Sequence, residues 1–337
     1  MLTAIARRAP GNNRLRSPQQ QSLFEELEDR QSIERQELTR RLRDLSGNNI
    51  FIGGSSWKYE GWIDRIYTRS RYFSKGKFSR KVFNETCLGE YATVFPTVCG
   101  DFAFYQFPTE DFWRRLFGQA PEGFQFAFKV PEQITCPIFP SHPRHGLQGG
   151  RENPAFLDPV LLREGFQRPL ERHRGKTALL IFEFGTFPRK IFAAPGEFLD
   201  RLDIFLRALP PEFRYAIEIR NWDFLVPDYF SCLRGRNIAH VYNAWTRMPE
   251  LPEQLSIPES KTADFLVCRA LLKQGRPYEN AVRMFSPYAE VQEVNERARE
   301  GMRELIQIAR DERRTMFLFV NNRLEGNAPG TILSITD

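Results

Sequence analysis

The stretch Ala216-Ile217-Glu218-Ile219-Arg220 carries an acid and a base two residues apart. In an extended chain successive side chains point to opposite faces. Glu218 and Arg220 therefore share one face, while Tyr215, Ile217 and Ile219 share the other. The second face is bulky and β-branched, as the buried face of a strand would be. If the first face is enclosed as well, its two charges are costly unless paired or used. The pattern recurs in Gln125-Phe126-Ala127-Phe128-Lys129, where two Phe take one face and Lys129 falls on the other.

Such residues need a scaffold that brings distant strands together. Eight segments read as short strands, near 50–54, 94–99, 124–129, 178–184, 214–220, 237–243, 264–269 and 315–321. Helical patterns separate them, including 110–118, 196–208 and 288–312. Strand–helix alternation predicts a parallel sheet, and eight units predict a (β/α)8 TIM barrel with an N-terminal helical extension. No GxGxxG or GxxxxGK[ST] follows a strand, so an open nucleotide-binding sheet has little support and no motif names a cofactor.

In a barrel, the face with the large apolar residues meets the helices and the other points inside. The polar residues then gather at the strand ends: Asp101, Lys129, Glu183, Glu218, Arg220, Asn243, Arg269, Asn321 and Asn322. C-terminal strand ends form the working face of a barrel, where side chains converge on one pocket. Lys129, Arg220 and Arg269 are suited to clamp a phosphate or carboxylate. Glu218, with Glu183 or Asp101, is suited to move protons. Trp57, Tyr59, Trp62 and Tyr105 are expected to wall the pocket. The competing reading is an internal salt-bridge network that closes the barrel top.

Composition narrows the class. With 41% hydrophobic residues and 30 Phe, the 337-residue chain can fill a large core. The net charge of +6, from 48 basic and 42 acidic residues, permits an anionic partner without requiring one. Five scattered cysteines with no CxxC pair indicate neither a zinc ribbon nor a disulfide framework, and suit free thiols in the cytoplasm. Cys99 lies at a strand end with no evident His partner, His142 and His145 form an HxxH without helical context, and no metal site is assigned. No apolar run approaches the roughly 20 residues of a membrane span. Residues 1 to about 20 read as a disordered tail and 22–45 as a charged helix, so that residues 1–48 form an extension and 49–337 the barrel. Residues 65–81 hold seven cations, no acid and several aromatics, a composition that can bind nucleic acid through phosphates and bases. Residues 131–176, rich in Pro, Gly, His and Arg, are long for a loop and are expected to lie over the active face as a lid.

Several segments in order carry a resemblance. They are Ile52-Gly53-Gly54-Ser55-Ser56-Trp57-Lys58-Tyr59-Glu60-Gly61-Trp62, Phe104 to Pro108, Phe124 to Pro131 with Ile134-Thr135, Glu218-Ile219-Arg220-Asn221-Trp222, and Val320-Asn321-Asn322 with Gly326 to Pro329. Through them the chain resembles the DUF72 (YecE-like) family of TIM-barrel proteins from about Ile50 to its C-terminus. The resemblance implies a barrel and a pocket, and no established reaction. Where that family commonly has Glu, Asn, His and Gln, this chain has Cys99, Asp101, Cys136 and Glu183, and of an Arg-x-His-Gly only Arg269 stands. Lys129, Glu218, Arg220, Arg269, Asn321 and Asn322 form the matching set. Three functions are consistent with the sequence: an enzyme of hydrolase or lyase type on a small anionic or phosphorylated substrate, a nucleic-acid-binding or processing protein using 65–81, and a non-catalytic ligand sensor or scaffold.

Overall fold

Each extended segment has two unlike faces, and the two faces go to different places. The computed structural model describes residues 18–337, with side chains from residue 32 onward. The expected tail over residues 1–17 lies outside the described residues. Eight strands pair side by side: β1 (Ile50–Gly54), β2 (Thr97–Gly100), β3 (Gln125–Lys129), β4 (Thr177–Phe184), β5 (Tyr215–Ile219), β6 (Ala239–Ala244), β7 (Phe265–Ala270) and β8 (Thr315–Val320). All neighbours are parallel, and β8 returns to β1 to close the ring. This is an α/β TIM barrel, as the strand–helix alternation predicts.

One face of each strand fills the barrel. Phe51, Cys99, Ala127, Leu179, Ile181, Ala216, Val241, Val267, Phe317 and Phe319 form a core of their own inside it. Small residues on β3 and β5 leave room for the Phe51 and Phe317 rings, which stack at 5.2 Å. The opposite faces, among them Phe126, Phe128, Phe182, Ile217 and Leu318, join the larger core beneath the helices. Trp113 and Phe117, on the helix Glu110–Gln119, pack edge-on against Phe128 in that layer.

The period-two rule also fixes what lies above the inner core. Glu183 is two residues beyond Ile181, Glu218 beyond Ala216, Asn243 beyond Val241, Arg269 beyond Val267 and Asn321 beyond Phe319. Each therefore points inward, one level nearer the C-terminal mouth. The register sets Glu183 beside Glu218 and Asn243 beside Arg269.

The connections depart from the sequence reading in two places. The helical pattern at 288–312 begins only at Glu296, because Asn295 caps it through the Ala298 amide and Pro287 lies just upstream. Residues 131–176 are not one loop. Residues 159–176 are a run of short helices, and Phe166 there packs on Trp113 outside the barrel. The mouth keeps only the first part of the segment. The N-terminal helix, Pro18–Gly47, buries Leu38, Leu42 and Leu45 in the same layer as Ile50 and Ile52.

The seam between β1 and β2 is held by a side chain. The Tyr91 hydroxyl accepts from the Gly54 amide at 2.8 Å and donates to the Thr97 carbonyl at 2.9 Å. Gly53 permits the close approach, since a Cβ there would lie 1.9 Å from the Thr97 oxygen. Tyr91→Phe strands two buried backbone groups and should cost about 1–3 kcal/mol, read as a lowered urea midpoint. An unchanged midpoint would mean that the seam closes without it.

Candidate functional site

Six residues from five strand ends meet as one network of ions. Oε2 of Glu183 takes Lys129 Nζ at 2.9 Å, Arg220 Nη2 at 2.7 Å and Arg269 Nη1 at 2.7 Å. Glu218 gives one oxygen to Arg220 Nε at 2.8 Å and the other to Arg269 Nη1. Asp101 Oδ1 accepts from Arg269 Nη2 at 3.1 Å and lies 3.9 Å from Lys129 Nζ. Three cations and three carboxylates thus alternate around the mouth.

Burial is graded through the network. The side chains of Arg269 and Lys129 are 1% and 7% exposed, and Glu218 is fully enclosed. Asp101 is 31% exposed and stands on the turn Asp101–Phe104, just past the end of β2. Two aromatic faces cover the outer cations. Lys129 Nζ lies 3.8 Å from the centre of the Phe104 ring, and the Arg220 guanidinium lies 3.7 Å from that of Trp245.

The charges tune one another. Burial alone would push the Glu183 carboxyl up, but Arg220, Lys129 and Arg269 together outweigh it and hold the group far below the ordinary carboxylate range. Burial works against the Arg269 cation too, and its acidic neighbours, Glu218 foremost, keep it protonated. Cys99, inside the barrel nearby, is pushed up to about 12 by burial and is a neutral thiol at neutral pH. Burial does the same to Cys136, also to about 12.

The other expected site residues are placed as follows. Asn243 is buried beside the network, its Nδ2 donating to the Ile219 and Val241 carbonyls at 3.2 Å. Asn321 Oδ1 accepts from the Arg323 amide at 2.9 Å and so turns the chain after β8. Trp62 does not wall the mouth. It is enclosed by Tyr59, Tyr67, Tyr91 and Phe95, and its Nε1 donates to Asn322 at 3.2 Å. Asn322 also receives the Ala328 amide at 2.7 Å, which ties both residues to the start of the last helix. Trp57 meets Phe102 edge-on, and the Tyr59 hydroxyl, pushed up to about 12 chiefly by burial, feels the charges of Arg323 and Asp101. Tyr105 is 56% exposed and faces Arg144 instead of the cations.

Phe104 and Trp245 were missed by sequence reasoning. Trp245 could have been found, since it lies two residues past Asn243, just beyond the end of β6. Phe104 had no such signal, because it rides on a turn that follows no strand period. The first part of the 131–176 segment also holds an ion pair on a buried acid: Arg144 grips both oxygens of Glu132 at 2.9 and 2.7 Å, with His145 Nε2 3.3 Å away. His142 accepts from the Arg144 amide, and no cluster suited to a metal ion occurs among the described residues.

The basic stretch 65–81 is less available than its composition implies. Arg69 pairs with Asp64, Arg71 with Glu90, Arg80 with Glu60 and Arg65 with Glu34. Tyr67 and Tyr72 are buried against Phe83, so they are not open faces for bases to stack on. Among the described residues no helix is long and apolar enough to cross a membrane.

Comparison with known proteins agrees with this architecture. Residues 51–337 match the family model described as "Protein of unknown function DUF72". The chain belongs to the DUF72 family. Crystal structures of two other DUF72 proteins share its fold. The one from Thermotoga maritima MSB8 is 17% identical, with a TM-score of 0.55 over 85% of this chain and 97% of that one. The one from Enterococcus faecalis V583 is 15% identical, with a TM-score of 0.54 over 85% and 92%. No curated protein matches. The DUF72 match thus spans the barrel and begins after the N-terminal helix has ended.

The Glu183 pairing links this DUF72 barrel's stability to pH. Its folded value lies below the ordinary 4.5, so the stabilisation is complete above that pH and fades as pH falls below it. Glu183→Gln should lower stability at pH 7 by about 3–5 kcal/mol, by leaving three cations short of a counter-ion. It should also make the acid limb of the stability profile shallower, as measured by urea unfolding at pH 7 and pH 3. Parallel profiles for parent and variant would refute the linkage.

Proposed function

We propose that this DUF72 barrel is an enzyme of hydrolase or lyase type that acts on a small anionic or phosphorylated substrate at its C-terminal mouth. The observation that carries this reading is the convergence of Lys129, Arg220 and Arg269 on one oxygen of Glu183. Three cations held within hydrogen-bond reach of one point are positioned together, so that an anion exchanging with one of their carboxylate partners would meet a prepared set of donors.

A purely structural role is the weaker account on physical grounds. Burying six charges has a large desolvation cost, and apolar side chains of similar volume are often as stable or more so. The lower levels of the same barrel interior are filled with Ala, Val, Leu, Ile and Phe.

The network divides the work. Glu183 stays an anion and orients the cations. Glu218 and Asp101 are then the acids that move protons, Glu218 from the floor and Asp101 beside solvent. Phe104 and Trp245 cover the outer cations and lower the local dielectric, which strengthens their hold on an anion. Trp57 and Tyr59 stand near the Asp101 side.

The test is an activity screen against phosphorylated and carboxylated metabolites. For a substrate that is turned over, Glu218→Gln should lower kcat/KM by about 100-fold or more, and Arg220→Ala should raise KM or Kd at least about tenfold. Wild-type kinetics in both folded variants, checked by thermal melting, would remove the mouth as the site.

A further inference from the structure

Arg269 uses its donors unevenly. Nη1 bonds Glu183 and Glu218, and Nη2 bonds Asp101. Nε is buried with no hydrogen-bond partner among the described residues, although the side chain is only 1% exposed. In a guanidinium, the Nε and Nη2 hydrogens point the same way and are spaced to meet two oxygens of one carboxylate or phosphate. Asp101 supplies a single oxygen to that edge, at 3.1 Å from Nη2, and the same oxygen stays 3.9 Å from Lys129. A two-oxygen seat is occupied by one oxygen.

Asp101 also differs from the other two acids in how it is held. Glu183 and Glu218 stand on barrel strands with neighbours on both sides. Asp101 stands on a turn beyond β2 and is the most exposed member of the network, at 31%. Its carboxylate makes one hydrogen bond in the network, to Arg269 Nη2, whereas Glu183 meets three cations and Glu218 two, so Asp101 has the fewest contacts to give up.

We infer that Asp101 is an internal occupant of an oxyanion seat formed by the Nε–Nη2 edge of Arg269 and by Lys129 Nζ, and that a substrate carboxylate or phosphate displaces it. This rests on the reading of the mouth as an anion-binding active site, and it names the group recognised there. The exchange breaks the Asp101 bond to Nη2 and forms two parallel bonds, at Nε and Nη2. One acceptor group replaces another, so the alternation of charge around Glu183 and Glu218 is kept. A ligand with hydroxyls alone, or with a cationic end, does not satisfy the edge. Once displaced, Asp101 lies beside the bound group, where it can exchange protons with substrate and solvent. The seat thus selects for a terminal, two-oxygen anion and discriminates against neutral sugars and amines.

The experiment is calorimetric titration with inorganic phosphate at constant ionic strength, set by chloride, on the full chain. Asp101→Asn and Asp101→Ala should each bind phosphate at least about tenfold more tightly than the parent, because the competing charge is gone. Adding Arg269→Lys, which keeps the charge and removes the two-donor edge, should abolish that gain. Equal or weaker phosphate binding in folded Asp101 variants overturns the inference, as does an unaltered gain in the double variant. Should a metabolite be turned over while Asp101→Asn leaves both its affinity and that of phosphate unchanged, the displacement role falls and the active-site reading stands. Should neither the parent nor any variant bind phosphate or a panel anion, both fall.

Discussion

One oxygen of Glu183 organises the mouth of this barrel. Lys129, Arg220 and Arg269 all reach it within 2.9 Å. Without that carboxylate the three cations would repel one another in a poorly solvated space. With it they are held together, and Glu218 and Asp101 settle on their remaining donors. The arrangement costs desolvation energy that the fold recovers elsewhere, in the interior of the barrel and in the aromatic layer under the helices. A barrel is well suited to this, since its hydrogen-bonded ring resists the outward movement that like charges would otherwise drive.

The surroundings cover the network and leave Asp101 as its most exposed member. Phe104 and Trp245 lie flat over Lys129 and Arg220. Phe104 meets Tyr105 edge-on, Arg144 covers Tyr105, and Arg144 in turn is fixed on Glu132, just past β3. The turn that carries Asp101 is therefore linked to the segment after β3 through side chains. A cleft of about 250 Å³ runs along this line, bordered by Phe104, Tyr105, Pro131, Glu132, Phe139 and Arg144. The hydroxyl of Tyr91 secures the β1–β2 seam below, so the strand ends that bear the site stay in register.

Much of this was legible in the sequence because strands obey a period of two. All eight strands and the inward direction of Lys129, Glu218 and Arg220 follow from where the large apolar residues fall. Contacts made by turns follow no such period. Phe104 was passed over for its neighbour Tyr105, although only the ring of Phe104 reaches Lys129. Trp62 reads as a pocket aromatic from its loop, yet the structure spends it on the core and on Asn322. The basic stretch 65–81 looked unopposed because its acids, Glu34, Glu60 and Glu90 among them, lie outside that window and meet it only through the fold. The helices at 159–176 were hidden by their Pro, Gly and His content, which marks a loop by composition but here interrupts short helical turns.

The central claim is that the charged mouth is a ligand site rather than a plug. An electron-density map of crystals soaked with the anionic metabolite panel tests it most directly. The account predicts an anion on Lys129 Nζ and the Nε–Nη2 edge of Arg269, with Asp101 moved from its present bond to Arg269. A mouth that keeps all seven ion pairs unchanged in every soak, with no ligand density beside them, would contradict it.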